Sequence, residues 1–311
     1  SWLAWPEGEC GPDCRCFVET VSPSSEPTAP DSGADLLCAV TTGLGDYCRK
    51  SGINSLVLGL SGGIDSALTA AVAVDALGRD NVVGITMPSR YSSEGSISDS
   101  KKLAENLGMD LWEIPIERAH NAFTDMLEDR FKGTDANVAE ENVQARVRGN
   151  VLMTVSNKFG WIVLTTGNKS EMAMGYATLY GDMAGGFNVL KDVPKTLVYN
   201  LANWRNKSNF VIPRNTLTKP PSAELKPSQK DVDTLPSYDI LDQILTAYVE
   251  QNQDYEDIVN MGFAPSIVRQ VITTINRNEY KRRQAPPGVK ITQRAFGKDW
   301  RLPIINHYPE I

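Results

Sequence analysis

Short apolar runs alternate with helical segments through the first half of the chain, and this alternation constrains the fold more than any other feature. The runs at 56–60, 82–85, 111–114 and 161–164 have the length and composition of buried strands. Segments with helical spacing separate them, at 36–51, 67–77, 98–107, 117–131 and 139–158. Because such alternation forms parallel βαβ units, the sequence predicts an α/β fold with a doubly wound, Rossmann-like parallel sheet and flanking helices.

The amino-terminal 35 residues differ in composition from the rest. They are rich in proline, serine, glycine and acids and lack periodicity, which predicts a linker or the remnant of a missing domain. They hold seven acids and one base, so the remaining chain is nearly neutral although the net charge is -7. The chain has no apolar run long enough to span a bilayer. We expect neither a nucleic acid nor a membrane as partner.

The five cysteines form no regular pattern. Cys10, Cys14 and Cys16 crowd the amino-terminal stretch, while Cys38 and Cys48 lie in a helical segment. An odd count without regular spacing argues against a secreted disulfide scaffold and favours free thiols and a cytoplasmic location. A zinc site would need a fourth ligand beside the first three cysteines, and no histidine is near. Their role stays open.

A glycine-rich turn between the first strand and an alanine-rich helix carries the strongest local signal. Its residues are Gly59, Leu60, Ser61, Gly62, Gly63, Ile64, Asp65 and Ser66. Glycines let backbone N–H groups point inward, and a helix amino end favours anions, so the turn predicts phosphate binding. Asp65 would repel a phosphate unless a cation lies between them, which predicts a Mg²⁺ ligand. The alternative is an ordinary βα turn with an aspartate near the N-cap.

This turn resembles the pyrophosphate loop of the N-type ATP pyrophosphatases, which cleave ATP between the α and β phosphates and transfer AMP to a substrate. Further blocks resemble the NAD synthetase family of that superfamily, and the likeness covers about 36–308. The block at 87–94 resembles the glutamine-dependent branch in particular. The blocks lie at 87–94, 142–146, 165–171, 180–182, 193–196, 221–225 and 278–282. The resemblance implies an adenine nucleotide alpha hydrolase-like fold over 36–311.

The resemblance also implies an activity and partners. The expected reaction is ATP-dependent amidation of nicotinic acid adenine dinucleotide (deamido-NAD) by ammonia, through an adenylated carboxylate and with Mg²⁺. A homodimer or larger homo-oligomer is expected. Glutamine-dependent members carry a glutaminase domain in front, which residues 1–35 are too short to form, so ammonia would come from a domain missing here or from a separate source. The alternatives are another ATP pyrophosphatase, such as a GMP synthetase-like enzyme, and a regulatory ATP-binding domain.

The resemblance assigns roles residue by residue. Beyond the glycine-rich turn, ATP binding falls to Arg90, Thr166, Lys195 and Ser222. The residues expected to bind deamido-NAD are Asn142, Arg146, Glu171, Tyr176, Leu179 and Lys281. Asp65 and Glu171 are expected to bind Mg²⁺, and the catalytic residues are Asp182, Lys195 and Ser222. Leu179 departs from the pattern, because ammonia-dependent members often have a lysine there.

Each role has a physical basis and a simpler alternative. A carboxylate at Asp182 can orient ammonium and accept its proton, although a turn aspartate is the simpler interpretation. Glu171 can share Mg²⁺ with Asp65 or be a first-turn helix acid. Lys195 offers a charge to phosphates or is a surface lysine. Ser222 lies in the proline-rich stretch 207–236, which predicts a mobile lid, and is otherwise a loop serine.

Overall fold

The computed structural model describes residues 32–135, 137–222, 224–226, 231 and 235–305. Cys10, Cys14 and Cys16 lie outside these residues, and Cys38 and Cys48 are free thiols. Within the described residues, no helix combines the length and the apolar character needed to cross a bilayer. The role of Cys10, Cys14 and Cys16 stays open, because they lie outside the described residues.

A five-stranded parallel sheet forms the centre of the molecule, as the alternation predicts. The strand order is β3-β2-β1-β4-β5, the order of a doubly wound sheet. The strands are β1 (Leu56–Gly59), β2 (Val82–Thr86), β3 (Asp110–Glu113), β4 (Ile162–Thr165) and β5 (Phe187–Asn188). The first four match the apolar runs within two residues. The fifth has only two residues, too few for a periodic pattern.

Twelve α-helices are present in the described residues. Those of the first half are α1 (Ser32–Lys50), α2 (Ile64–Leu77), α3 (Glu94–Leu107), α4 (Glu117–Phe131), α5 (Val138–Phe159) and α6 (Lys169–Met174). The first five match the predicted segments, although α1, α2 and α3 start three or four residues earlier than predicted, and Ser93 caps α3. No helix is predicted at the position of α6. The second half contains α7 (Lys195–Arg205), α8 (Arg214–Thr218), α9 (Tyr238–Leu245), α10 (Tyr255–Asn260), α11 (Pro265–Arg277) and α12 (Glu279–Arg282).

Helices cover both faces of the sheet, which explains why its strands are apolar throughout. On one face α1, α2 and α7 pack together and bury Leu44, Leu68 and Leu201. On the other face α5 packs on β1 and β4, with α4 outside it, and buries Val57 and Val163. A parallel sheet that is buried on both faces needs near-continuous apolar strands.

A second, helical lobe has its own hydrophobic core. Helices α9 and α11 pack against α6, α10 packs on α11, and together they bury Leu241, Ile244, Val268, Ile272 and Ile275. Helix α9 continues into a π-helical turn at Thr246–Glu250, where one helix over 240–249 is predicted. The Thr246 hydroxyl donates to the Asp242 carbonyl at 2.9 Å, a back-bond that competes with the helix ladder. Helix α6 follows β4 in the chain and so connects this lobe to the carboxyl end of β4.

The stretch predicted as a mobile lid is only partly described. Within 207–236 the structure places α8 and the residues around Ser222, while 223, 227–230 and 232–234 lie outside the described residues. Its mobility stays a prediction.

The strand order fixes where a ligand can bind. From β1 the chain proceeds to β2 and β3 on one side, and then returns to β4 and β5 on the other side of β1. The loops that follow β1 and β4 therefore separate and leave a crevice at their carboxyl ends. The glycine-rich turn follows β1, and the block at 165–171 follows β4.

The close approach of α5 to the turn that precedes β5 gives a test of the fold. A Cβ at Gly149 would lie 2.8 Å from the Gly181 carbonyl oxygen and 3.0 Å from that of Tyr180. Gly149→Ala should therefore lower the free energy of unfolding by about 1–3 kcal/mol, because backbone must move. Gly45→Ala is the matched control, since its Cβ would meet only Ala76 at 3.7 Å in another helix interior.

The control should leave stability unchanged or raise it by about 0.5–1 kcal/mol, since alanine favours helix over glycine. Urea unfolding curves measure both changes. Equal effects of the two substitutions would contradict this packing.

Candidate active site

The glycine-rich turn has the conformation of an anion-binding loop. Gly62 has a φ of +75°, and a Cβ there would lie 2.4 Å from the Ser96 carbonyl oxygen, so only glycine fits. The Ser66 hydroxyl donates to the Gly63 carbonyl at 3.0 Å, and the Gly63 N–H donates to Ser61 Oγ at 3.2 Å. The amino end of the 14-residue helix α2 follows directly. Its dipole and free N–H groups favour phosphate at this point.

A cleft opens above this turn at the carboxyl ends of β1, β2 and β4. Its walls come from the turn, from α5, from residues 181–184 and from the region of Ser222. Among the side chains that line it are Ser61, Asp65, Ser66, Met87, Ser96, Arg148, Thr166, Glu171, Tyr176, Asp182, Lys195, Ser222, Glu224 and Asp231. The cleft thus brings together residues from sequence blocks more than a hundred positions apart.

The floor of the cleft is an ionic cluster around Lys195. Its ammonium lies 2.5 Å from Asp65 Oδ2 and 3.3 Å from Glu171 Oε1, and only 2% of its side chain is exposed. Burial lowers the pKa of Lys195, but the charges of Asp65 and Glu171 outweigh it and raise the pKa above its usual value. Burial raises the pKa of Glu171, against the opposing charge of Lys195. The lysine is therefore a cation at neutral pH.

Asn168 ties the loop after β4 to this cluster. Its side-chain amide donates to Asp65 Oδ1 at 2.8 Å, and its amide oxygen accepts the Glu171 N–H at 2.9 Å. Asn168 thereby caps α6 and orients both carboxylates. The two carboxylates contact one ammonium, so they lie within about 6 Å of each other. That spacing fits two ligands of a shared Mg²⁺ or its water shell.

The helical lobe fixes the position of Lys195. Asp242 on α9 accepts the Thr196 N–H and the Thr196 hydroxyl, each at 2.8 Å. It also accepts the hydroxyl of Ser170, whose oxygen accepts the Lys195 N–H at 2.9 Å. The ring of Tyr238 lies 5.3 Å from the lysine nitrogen. These contacts hold the first turn of α7 against the cleft.

Asp182 lies across the cleft from this cluster. Its Oδ1 accepts the Thr178 N–H at 2.7 Å, and the residue is exposed on its cleft side. Surrounding protein raises the pKa of Asp182 to about 6, against the Thr178 N–H and the charge of Lys281. The carboxylate is ionised at neutral pH and can accept hydrogen bonds from a cation.

The residues expected to bind the dinucleotide gather around the loop 175–182. Lys281 donates to the carbonyls of Gly175 and Ala177 at 2.6 and 2.9 Å. Arg146 on α5 donates to the Leu179 carbonyl at 3.3 Å, and Asn142 accepts the Thr178 hydroxyl at 2.8 Å. The structure thus brings Asn142, Arg146, Leu179 and Lys281 together, and Tyr176 lines the cleft itself.

Arg90 lies apart from the cleft, and the expected residues Asn142, Arg146, Leu179 and Lys281 are likewise absent from its lining. The Arg90 guanidinium donates to Glu117 and to Asn121 on α4, the latter at 2.7 Å, and half of its side chain is exposed. It is absent from the residues that line the cleft. Its role in ATP binding stays a prediction that would require these contacts to break.

Arg148 is a cleft residue that the sequence analysis missed. Its Nε donates to the Met87 carbonyl at 3.0 Å, and no carboxylate of the described residues forms an ion pair with it. Burial lowers its pKa to about 10, against the charge of Glu224. A signal exists in the sequence, because Arg148 shares a helix face with Gln144 and Leu152, both buried. A cation on a buried helix face indicates a function.

No metal-binding cluster of three or more His, Cys, Asp or Glu side chains occurs among the residues that the structure describes. Asp65 and Glu171 alone would hold Mg²⁺ only if phosphate oxygens and water completed its shell, as is usual for this ion. These two carboxylates would therefore need a bound nucleotide to complete the coordination of the ion.

Comparison with known proteins identifies the family of this fold and cleft. The sequence model of the NAD synthase family matches residues 36–285. The glutamine-dependent NAD(+) synthetase of Thermotoga maritima is 53% identical over 278 residues, which are 89% of this chain and 48% of that protein. This chain spans about half the length of the curated relatives that it matches.

Solved structures support the same family. The glutamine-dependent NAD+ synthetase of Acinetobacter baumannii, in complex with ADP, superposes with a TM-score of 0.62 at 43% identity, over 92% of this chain and 52% of that one. An NMN synthetase from Francisella tularensis superposes with a TM-score of 0.69 at 27% identity, over 80% and 95%. This chain is a member of the NAD synthase family.

Proposed function

We propose that this chain amidates the carboxylate of deamido-NAD to give NAD, with ATP as the activating substrate, ammonia as the nucleophile, and AMP and pyrophosphate as products. The observation that carries the proposal is the placement of the Asp65–Lys195–Glu171 cluster and of Asp182 on one cleft, beside a phosphate-binding turn. The charged cluster can interact with the phosphates of ATP, and the Asp182 carboxylate can bind an ammonium ion. A relative with ADP bound supports the nucleotide.

In the first step a carboxylate oxygen of the substrate attacks the α-phosphorus of ATP. The new oxygen–phosphorus bond forms as the bond to the bridging α–β oxygen breaks, and pyrophosphate leaves. In our proposal the hydroxyls of the glycine-rich turn, the amino end of α2, the Ser222 hydroxyl and the Lys195 ammonium stabilise the leaving phosphates. Thr166, at the end of β4, is placed to contact the nucleotide. Mg²⁺, held by Asp65 and Glu171, would offset phosphate charge when bound.

In the second step ammonia attacks the acyl carbon of the adenylated substrate. Asp182 orients an ammonium ion and takes one proton, which leaves neutral NH₃ as the nucleophile. The carbon–oxygen bond to AMP then breaks and AMP leaves with its electron pair. The nitrogen loses its extra proton to solvent, and the amide remains. The buried surroundings of the cleft floor limit access of water, which would otherwise hydrolyse the activated acyl group.

The loop 175–182 and the residues bonded to it would bind the pyridine dinucleotide. We propose this role for Asn142, Arg146, Tyr176, Leu179 and Lys281, which surround that loop. Leu179 offers its carbonyl and an apolar side chain where a lysine is common in ammonia-dependent members. In our proposal the synthetase domain covers 36–311 and works as a homo-oligomer, and a glutaminase domain or a separate enzyme supplies ammonia.

One competing acceptor follows from the comparisons. A family member named NMN synthetase has the same fold, so a mononucleotide carboxylate is a second candidate substrate for this cleft. The identity of 53% to a protein named NAD(+) synthetase, against 27% for the NMN synthetase structure, favours the dinucleotide. A GMP synthetase-like acceptor and a purely regulatory role have no support among the relatives reported above.

Loss of the Asp65 carboxylate tests the first step. Asp65→Asn should reduce pyrophosphate release by at least about 100-fold, because both the bond to Lys195 and the metal ligand are weakened. Asp80→Asn is the control, since Asp80 lies in an exposed turn with 92% of its side chain accessible. Circular dichroism should show both variants folded. A folded Asp65→Asn chain with wild-type pyrophosphate release would contradict the proposed role.

The pH dependence of amide formation tests Asp182. The wild-type rate, measured at constant NH₃, should fall as the pH drops through about 6, because the protonated carboxyl can no longer accept a proton. Asp182→Asn should form amide at least about tenfold more slowly at pH 7.5 and lose this pH dependence. Its pyrophosphate release should change far less. An unchanged pH profile in the variant would exclude Asp182 as the proton acceptor.

A further inference from the structure

Glu224 is held at the amino end of α3 by a set of contacts that the proposed reaction does not use. Its two carboxylate oxygens accept the Ser93 N–H at 3.2 Å, the Ser93 hydroxyl at 2.9 Å and the Ser96 hydroxyl at 2.7 Å. The helix dipole favours a negative charge there. Glu224 has a φ of +48°, a conformation that costs energy for a residue other than glycine. The contacts therefore maintain a strained backbone.

The turn of α3 that binds Glu224 also contacts the phosphate-binding turn. The Ser96 carbonyl approaches Gly62 so closely that no Cβ fits between them. Lys219 donates to the Ser96 hydroxyl at 3.0 Å and pairs with Asp99 at 3.4 Å. Ser96 is thus the point where Lys219 and Glu224 meet the proposed site of the ATP phosphates.

Glu224 is directly connected to Ser222, to which we assign ATP binding. The Glu224 N–H donates to Ser222 Oγ at 3.1 Å. On the other side, Gln144 on α5 donates to the Leu225 carbonyl at 2.9 Å. Ser222 and Glu224 therefore lie along one wall of the cleft and both face it. Movement of the Glu224 carboxylate would change the orientation of the Ser222 hydroxyl.

We propose that Glu224 is a positioning residue for ATP, which fixes Ser222 beside the phosphate-binding turn by holding residues 219–222 and 224–226 against the amino end of α3. This inference rests on the proposed binding of ATP in this cleft. Glu224 itself touches neither ATP nor the acceptor in this account. Its charge acts through Ser93 and Ser96, so the effect of removing it should depend on those hydroxyls.

Calorimetry tests the proposal by measuring ATP binding directly. It uses the 311-residue chain with Mg²⁺ present. Glu224→Ala should raise the Kd for ATP about tenfold, as expected when charge-assisted hydrogen bonds are lost. Glu224→Gln should lie between wild type and Glu224→Ala, because an amide oxygen still accepts from the two serines. The control Glu105→Ala removes an exposed carboxylate from the same helix and should leave the Kd within about twofold of wild type.

Two further readouts separate positioning from a loss of folding. The thermal midpoint of Glu224→Ala should stay within a few degrees of wild type, since a surface segment holds little of the core. In steady-state assays the KM for ATP should rise while the KM for the acceptor does not. A double-mutant cycle with Ser96→Ala should be non-additive, because both substitutions remove the same contact.

Wild-type affinity in Glu224→Ala, or strict additivity with Ser96→Ala, would overturn the proposal. So would a loss of ATP binding that Glu224→Gln does not partly restore. The binding assay needs no acceptor, so a wild-type chain that binds ATP without amidating deamido-NAD would refute the proposed acceptor and leave the Glu224 comparison valid. A wild-type chain that does not bind ATP would refute both.

Discussion

The buried ion cluster of Lys195 with Asp65 and Glu171 is the interaction on which the rest of this site depends. Its three members follow β1, β4 and the turn before α7, so the cluster joins the three elements that form the cleft floor. Removal of one member of such a cluster leaves an uncompensated charge and typically costs about 3–5 kcal/mol.

Residues of both lobes hold this cluster in place. Asp65 lies just after β1, and Asn168 lies just after β4. Asn168 orients the carboxylates of Asp65 and Glu171. The helical lobe supplies Asp242, which fixes the first turn of α7 and with it Lys195. Lys169 shows how the lobes are joined, because its buried ammonium pairs with Asp192 and with Glu250 of the π-helical turn. The helical lobe is therefore part of the scaffold that holds the cleft floor.

The sequence alone predicts the sheet, the phosphate-binding turn and the proximity of Asp65 to Glu171. These follow from local periodicity and from the rule that the carboxyl ends of parallel strands meet at one edge. Helical spacing places Arg148 on a face with Gln144 and Leu152, but the sequence does not predict its bond to Met87 or the contacts of Glu224, because these join distant segments. The position of Arg90, bound to Glu117, is a further departure, since nothing around it in the sequence indicates that partner.

The central claim is that the cleft activates a pyridine carboxylate with ATP. Exchange of labelled pyrophosphate into ATP, in the absence of ammonia, tests it most directly, because exchange requires reversible formation of the acyl adenylate. The account predicts exchange with deamido-NAD, much weaker exchange with nicotinic acid mononucleotide, and none with ATP alone or with xanthosine monophosphate. Exchange without any acceptor, or faster exchange with the mononucleotide than with the dinucleotide, would contradict it.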